Sequence, residues 1–456
     1  METGSLPRKT AQNPDTHVRT LAEARDLLPL HGLWPKRYPF LLESTSRGGP
    51  RGRYDILFAF PEGEITFEPG KPPEGGFLGA LDAWWQAAGG GEAHALPFTG
   101  GWFLYLGYEL ASEIEPKLRL PAAKSGFPAA VATRIPAAIL RDHERNKTHL
   151  VAEAGREELL DRLAADFAAA KKTLPSRSGP LLAAPLHEER AERYLDGIRR
   201  VKDYITAGDV FQVNLSRLWE GHLREGLLHA EIYARLRERN PAPFAGLAAF
   251  GERTIVSSSP ERLVERRGTL LQTRPIAGTR PRGGNEARDR AHKQNLLAHP
   301  KERAEHVMLI DLERNDLGRV AIPGSIAVDE FMSVESYAHV HHIVSNVRGE
   351  VRPETTPGEI IRAVFPGGTI TGCPKVRCME IIAELEARGR GPYTGAFGYL
   401  NRNGDMDLNI LIRSILCEEN RVSIQTGAGI VADSVPLREL EETRDKARGM
   451  IRALVG

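Results

Sequence analysis

Two acidic pairs in this 456-residue chain have a spacing that could serve chemistry. In KERAEHVMLIDLERNDLGRV, Glu302 and Glu305 lie three positions apart, so on a helix both carboxylates share one face. LRELEETRDKARG repeats the arrangement with Glu439 and Glu442, and Lys446 follows one turn further along. Like charges so placed repel by roughly a few tenths of a kcal/mol unless a cation sits among them. One pair alone is satisfied as a solvated helix face, with Lys301 and Arg303 as partners. Two such pairs suit a hard, oxygen-seeking cation such as Mg²⁺ with coordination positions left for an anionic substrate. The expectation is that the two segments meet in space.

Other stretches carry polar groups in patterned positions. VFQVNLSRLW alternates, with Phe211, Val213 and Leu215 on one face of a strand and Gln212, Asn214 and Ser216 on the other. That polar face is either solvated or lines a cleft. FPGGTITGCPKVRCMEIIAELEARG joins a Gly-rich turn to a helix expected from near Pro374 to near Gly389. Free N–H groups at such a start, with the Thr369 and Thr371 hydroxyls, suit a carboxylate or phosphate, although an ordinary tight turn accounts for the same residues. No Gly-Lys-Ser/Thr follows, so it is not a nucleotide P-loop. TRPIAGTRPRGG gathers Arg274, Arg280 and Arg282 among Pro and Gly, as a solvated loop or a flap over an anionic ligand. Arg413 sits between apolar neighbours in DLNILIRS, where a buried guanidinium needs a carboxylate from the protein or from a substrate. His339, His341 and His342 do not read as a metal cluster, because neighbours on a strand point to opposite faces.

The remaining chain has to position these groups. Lys+Arg 61 against Asp+Glu 60 gives net +1, which offers no basic surface for nucleic acid. No run reaches the roughly 18 apolar residues of a membrane helix. METGSLPRKTAQNPDTH lacks the apolar core of a signal peptide, and three cysteines fit a reducing cytosol, so a cytoplasmic protein is expected. Residues 1–20 are expected to be disordered. TLPSRSGPLLAAP reads as a linker dividing an N-terminal domain, 21–185, from a second, 186–456. Strands are expected at FLLESTS, Tyr54–Phe60, Glu64–Phe67 and from Phe98, turning helical near Tyr108. Helices are expected at Glu157–Lys172, along Tyr194, Ile198, Val201 and Ile205 to a cap at Gly208, and along Leu228, Ile232 and Leu236. The last third reads as an antiparallel meander: YTGAFGYL, an Asn403-Gly404 turn, DLNILIRSILC as one strand, a turn at Glu419-Asn420, then RVSIQTGAG.

Taken as a set, SSSPERL, PIAGTRPRG, KERAEHVMLIDLERNDLGRV, FPGGTITGCPKVRCMEII, GPYTGAFGYL and ELEETRDKARG resemble the chorismate-utilising enzymes, strongly from about Tyr194 to Val455 and weakly before. The resemblance implies an α+β fold: two large antiparallel sheets packed face to face, with helices outside. It implies that Glu305 and Glu442 hold Mg²⁺, supported by Glu302 and Glu439, and that the ion grips chorismate's ring carboxylate. Tyr393, Arg413 and the backbone at Gly427 and Gly429 would take the pyruvyl carboxylate, Thr369 and His342 would line the ring, and Lys446 would balance the acids. Glu261 in SSSPERL is similar to the family's general acid, which protonates the hydroxyl leaving carbon 4. Gln212 stands where water-using members carry a lysine base; a neutral amide cannot activate water, which favours ammonia as final nucleophile.

Within the family, VFQVNLSR, LIDLERND, VESYAHVHH, TITGCPKVRC, DLNILIR and YLGYELASEIEP are similar to the aminodeoxychorismate-forming branch, which serves p-aminobenzoate and folate synthesis. Against it stands Ala277 in PIAGT, where many of those enzymes have a lysine nucleophile; a methyl group cannot attack carbon 2. Water or ammonia would then add there in its place. The anthranilate-forming branch is the alternative, and a non-catalytic chorismate- or amino-acid-binding regulator is an alternative of another class, disfavoured by the intact Glu261. Neither Cys373, Cys378 nor Cys417 sits in a nucleophile pattern, so ammonia is expected from a separate glutamine amidotransferase subunit. FLLESTS resembles a site where family members bind tryptophan; the packing of a plain β-strand accounts for it more simply.

Overall fold

Short aromatic and β-branched runs pair here across long stretches of sequence. The computed structural model describes residues 15–45, 52–68, 71–123, 125–170, 174, 178–282, 285–336 and 340–456. Among these, the strands form two antiparallel sheets of twelve and ten. The first runs Thr16–Leu21, Lys147–Glu153, Ala137–Asp142, Tyr54–Ala59, Phe40–Glu43, Phe244–Phe250, Arg253–Ser259, Ser414–Glu418, Arg421–Ile430, Gln212–His222 and Gly372–Cys373 from edge to edge. The second runs Ile276–Pro281, Val340–Glu350, Leu270–Thr273, Arg262–Arg267, Met406–Ile410, Ala396–Asn401, Gly101–Leu106, Ala130–Ile135 and Glu64–Phe67.

Between the sheets lies an aromatic layer. Phe40 of the first stacks on Phe103 of the second with centroids 4.0 Å apart, and Phe58 meets Phe98 and Phe103 edge-on. The outer face of the first sheet is covered by helices Leu28–Leu33, Glu158–Ala169, His229–Arg239 and Pro436–Val455. Helices Gly76–Ala87, Pro300–Gly318 and Pro357–Val364 cover the second. The chain thus has the α+β architecture of face-to-face sheets expected from its motifs. Among the described residues no helix is long and apolar enough to cross a membrane.

Several local expectations hold. Helix Ala191–Thr206 ends at Gly208, whose φ of 83° is the left-handed geometry of a cap. Others need correcting. Thr16–Leu21 is an ordered edge strand against Lys147–Glu153, tied by Arg19 to Asp161 at 2.8 Å, so order begins ahead of residue 21. DLNILIRSILC is not one strand: Met406–Ile410 belongs to the second sheet and Ser414–Glu418 to the first. The break falls at Arg413, a non-glycine residue with φ 52°, and no Gly or Pro marked it. The boundary expected at 185 falls just before the short strand His187–Glu188, and both sheets take strands from either side of it.

Candidate active site

Two of the predicted residues sit where the chain changes sheets. Glu261 lies between Arg253–Ser259 of the first sheet and Arg262–Arg267 of the second; Arg413 lies on the return crossing. The crossings run side by side, with Ile410 N–H donating to Glu261 O at 3.0 Å and Ser258 N–H to Arg413 O at 3.2 Å. Each side chain is thereby held at the end of the sandwich by two sheets rather than by a loop. Glu261 is buried, and burial pushes its carboxyl up to about 7, while the Thr369 hydroxyl, Lys446, Arg413 and the Ile276 N–H pull the other way. Thr369 Oγ1 reaches toward it without closing a well-aligned hydrogen bond and remains a buried hydroxyl without a partner. Arg413 forms no ion pair with a described residue, and burial lowers its proton affinity with Glu261 as the opposing charge.

Strand Gln212–His222 makes the floor, paired with Arg421–Ile430 so that Asn214 lies opposite Gly429 and Ser216 opposite Gly427. Its polar face is buried rather than solvated, whereas Phe211, on the other face of the alternation, is 69% exposed. Gly427 and Gly429 keep that floor bare. A Cβ on Gly429 would stand 2.4 Å from Gln212 Nε2, and one on Gly427 would stand 2.8 Å from Asn214 Oδ1 and 2.9 Å from the Tyr393 hydroxyl. Tyr393 is buried beneath the Arg390 guanidinium, 5.5 Å from ring centroid to charge, and Arg390 is paired with Glu386 at 2.6 Å. Lys446 donates to Gly427 O at 2.9 Å and pairs with Glu442 Oε1 at 2.8 Å.

Electrostatic interactions link the groups that lie between the two acidic segments. Glu302 Oε2 lies 2.8 Å from where a Cβ on Gly278 would be, and Gly278 takes a φ of 63° that glycine adopts freely. His342 Nδ1 donates to Gly278 O at 3.4 Å, and burial, then Arg413, holds that imidazole near 3, hence neutral. Arg413 and Glu261 interact electrostatically, as do Glu261 and Lys446, and Lys446 pairs with Glu442. Glu439 and Glu442 both add to the burial that raises the Tyr194 hydroxyl, as does Tyr393. Glu305 lies one turn beyond Glu302 on helix Pro300–Gly318. Ala277 is buried next to Gly278, opposite Ile343. Among the described residues no three His, Cys, Asp or Glu side chains stand close enough together to hold a metal. The donor set matches Mg²⁺ in kind, being carboxylate oxygen throughout, but among the described residues the four carboxylates do not stand as one cluster.

The sequence reading missed a second acidic group. Glu313 and Asp316 continue the face of Glu302 and Glu305 into the interior; Asp316 Oδ2 meets Lys375 Nζ at 2.5 Å, and both acids are pushed up by burial, Glu313 with Asp316 and Glu261 as like charges. Glu302, Glu305, Glu313 and Asp316 fall on one helical stripe with the apolar Leu309 between them, and that was the signal, disguised as ordinary charge in DLERND. Lys375, first in helix Lys375–Glu386, thus holds the protein's own Asp316, and Thr371 Oγ1 bonds Gly367 O at 2.9 Å within the turn. The flap reading of Arg274 is replaced by a structural one, since it pairs with Glu335 at 2.7 Å and Glu330 at 2.8 Å. Arg282 pairs with Asp289 at 2.7 Å; the Arg280 side chain and all of His339 lie outside the described residues. His341 bonds Asp289 at 2.9 Å, apart from any metal role. Leu42, Glu43 and Ser44 of FLLESTS line a cavity of about 420 Å³ with Phe244, Phe397 and Tyr399.

These features coincide with a known family. A family model described as chorismate binding enzyme matches residues 38–452, and the chain belongs to that family. It is a chorismate-utilising enzyme. The aminodeoxychorismate synthase component 1 of Bacillus subtilis is 40% identical over 443 residues, covering 92% of each chain. The anthranilate synthase component 1 of Thermus thermophilus is 41% identical over 440 residues, covering 91% of this chain and 92% of its own. The crystal structure of anthranilate synthase component I from Streptococcus pneumoniae superposes with a TM-score of 0.78 at 31% identity, over 89% of this chain and 93% of that one.

Proposed function

We propose that this chain is the chorismate-transforming component of an aminodeoxychorismate synthase, making 4-amino-4-deoxychorismate from chorismate and ammonia. The observation that carries the reading is Glu261, a buried carboxyl whose proton affinity lies near neutrality, in a site whose floor offers the amide of Gln212 and no base for water. Glu302, Glu305, Glu439 and Glu442 would hold Mg²⁺, which when bound supplies a positive anchor for the ring carboxylate. Arg413, without an ion pair among the described residues, is suited to the pyruvyl carboxylate beside the Tyr393 hydroxyl and the N–H groups of Gly427 and Gly429. Thr369 and neutral His342 would border the ring.

Glu261 gives its proton to the carbon 4 hydroxyl as that C–O bond breaks and water leaves. A nucleophile adds at carbon 2 in the same displacement, and its surplus proton returns to the Glu261 carboxylate. Ala277 offers no side chain for that addition, so water or ammonia serves. Ammonia then forms the carbon 4 bond as the first nucleophile departs with a proton from Glu261. The balance is chorismate plus ammonia to amine plus water.

A separate glutamine amidotransferase is proposed as the ammonia source. In support, burial pushes the thiols of Cys373, Cys378 and Cys417 up, the reverse of an activated nucleophile. The cavity at Leu42–Ser44 is proposed to take tryptophan, its aromatic lining suiting the indole. Anthranilate synthesis is the second reading, favoured by Ala277 and by the Thermus thermophilus relative. One assay separates them: chorismate, Mg²⁺ and ammonium should give an amino product that retains its enolpyruvyl group. Anthranilate fluorescence with pyruvate release would establish the second reading instead. Activity is expected to vanish with chelator, return with Mg²⁺, and not be supported by glutamine with this chain alone.

A further inference from the structure

One buried cation is unused by the proposed chemistry. Arg390 is 3% exposed, and every N–H of its guanidinium has an acceptor. Nε donates to Glu386 Oε2 at 3.0 Å and Nη2 to Glu386 Oε1 at 2.6 Å. Nη2 also donates to Asn214 O at 2.7 Å, while Nη1 donates to Ile370 O at 3.1 Å and to the Thr394 hydroxyl at 3.3 Å. One side chain thus ties together the floor strand, the turn that carries Thr369 and the segment that carries Tyr393. Its main-chain N–H and that of Gly391 donate to Glu109 Oε1 from the first half of the chain, at 2.7 and 3.1 Å. Taking an ion pair out of water costs more than giving the same carbonyls neutral donors, so hydrogen bonding alone does not call for a charge here. The charge stands 5.5 Å from the centre of the Tyr393 ring. Burial raises the Tyr393 hydroxyl, and Arg390 is the largest influence in the opposite sense, with Glu386 acting against it.

We propose that Arg390 is a positioning residue for the carboxylate seat, holding the Tyr393 ring in place and polarising its hydroxyl as a donor to chorismate's pyruvyl carboxylate. This rests on the carboxylate role proposed for Tyr393. A cation over the face of a phenol draws electron density from the ring, which makes the O–H a stronger hydrogen-bond donor. An anionic acceptor gains most from that, because charge-assisted hydrogen bonds are about twice as strong as neutral ones. With every N–H committed to the protein, Arg390 has none to offer the substrate. Arg413 meets the carboxylate directly, and Arg390 acts on it only through Tyr393.

The test is a double-mutant cycle on the full chain with Mg²⁺ and ammonium, read as the KM for chorismate and as kcat. Tyr393→Phe should raise the KM for chorismate about tenfold, the equivalent of one hydrogen bond to a charged group, with kcat within about threefold. In Arg390→Gln/Glu386→Gln, two neutral amides replace the ion pair without stranding a charge, and Ser216, which donates to Glu386 at 2.9 and 2.7 Å, keeps an acceptor. Added to that pair, Tyr393→Phe should raise the KM only about threefold further. Glu386→Gln alone, nearly isosteric, guards against a folding failure of the pair and acts in the opposite sense. The charge over the ring is then no longer offset, so Tyr393→Phe should cost about thirtyfold there. A merely structural Arg390 would change kcat and stability but not these ratios. A tenfold effect of Tyr393→Phe in every folded background would overturn the inference alone. No effect of Tyr393→Phe on the chorismate KM of the wild type would overturn the carboxylate role of Tyr393 and the inference together.

Discussion

Glu261 shows how one residue's chemistry is made by its surroundings. Its carboxyl has no unusual neighbour in sequence, and the Ser-Pro-Glu it belongs to would pass for a turn. Burial at the sheet crossing raises it to about 7, so it is a proton donor near neutral pH. Because it must be protonated to act, kcat/KM is expected to fall as pH rises through about 7, and Glu261→Gln to lose about 10²- to 10⁴-fold in turnover while chorismate still binds. The same burial affects stability. A carboxyl raised in the folded state binds its proton there more tightly than in the unfolded chain, so its contribution is fully present below the unfolded value and is lost as pH rises through about 7. Glu261→Gln should therefore melt higher than wild type at pH 8 and not at pH 4, as calorimetry at the two pH values will show. The acid pairs were legible in the sequence because i,i+3 spacing survives folding; the burial of Glu313 was not, because nothing local distinguishes a solvated glutamate from a buried one.

Elements were read with uneven success, for identifiable reasons. Amphipathic helices and the Gly208 cap follow from side-chain period and backbone geometry, both local properties. The split of DLNILIRSILC does not, because Arg413 changes direction at a positive φ without the glycine that usually announces it. At Gly278 the glycine does announce itself. Its left-handed φ and the 2.8 Å approach of Glu302 together leave no room for a side chain between the bulged strand Ile276–Pro281 and helix Pro300–Gly318. Gly278→Ala is expected to cost about 1–2 kcal/mol in backbone strain and to displace the Glu302 carboxylate. If that carboxylate helps hold Mg²⁺, the concentration of Mg²⁺ giving half-maximal activity should rise severalfold. A Mg²⁺ titration alongside a urea melt separates the two effects: destabilisation without a change in Mg²⁺ demand would remove Glu302 from the metal's ligands.

At the scale of the whole molecule, the face-to-face sheets could not be derived from periodicity, since their pairings join segments hundreds of residues apart. Phe244–Phe250 pairs with Phe40–Glu43, and Ala396–Asn401 pairs with Gly101–Leu106. The linker-like composition after Ala170 suggested two separate bodies, yet each sheet is completed by both halves. A fragment of residues 186–456, which holds every residue proposed for chorismate chemistry, would lose the partners of both those strands. It would also lose Phe40, Phe58, Phe98 and Phe103 from the aromatic layer. Two long unpaired edges and a bared apolar face are aggregation surfaces rather than a smaller stable enzyme. The fragment alone is therefore expected to be insoluble or to show no cooperative melt, and a mixture with residues 1–185 to recover both a melt and chorismate turnover. Circular dichroism on the separate and mixed pieces checks it: a 186–456 fragment that melts cooperatively by itself would show that the site stands on half the sandwich.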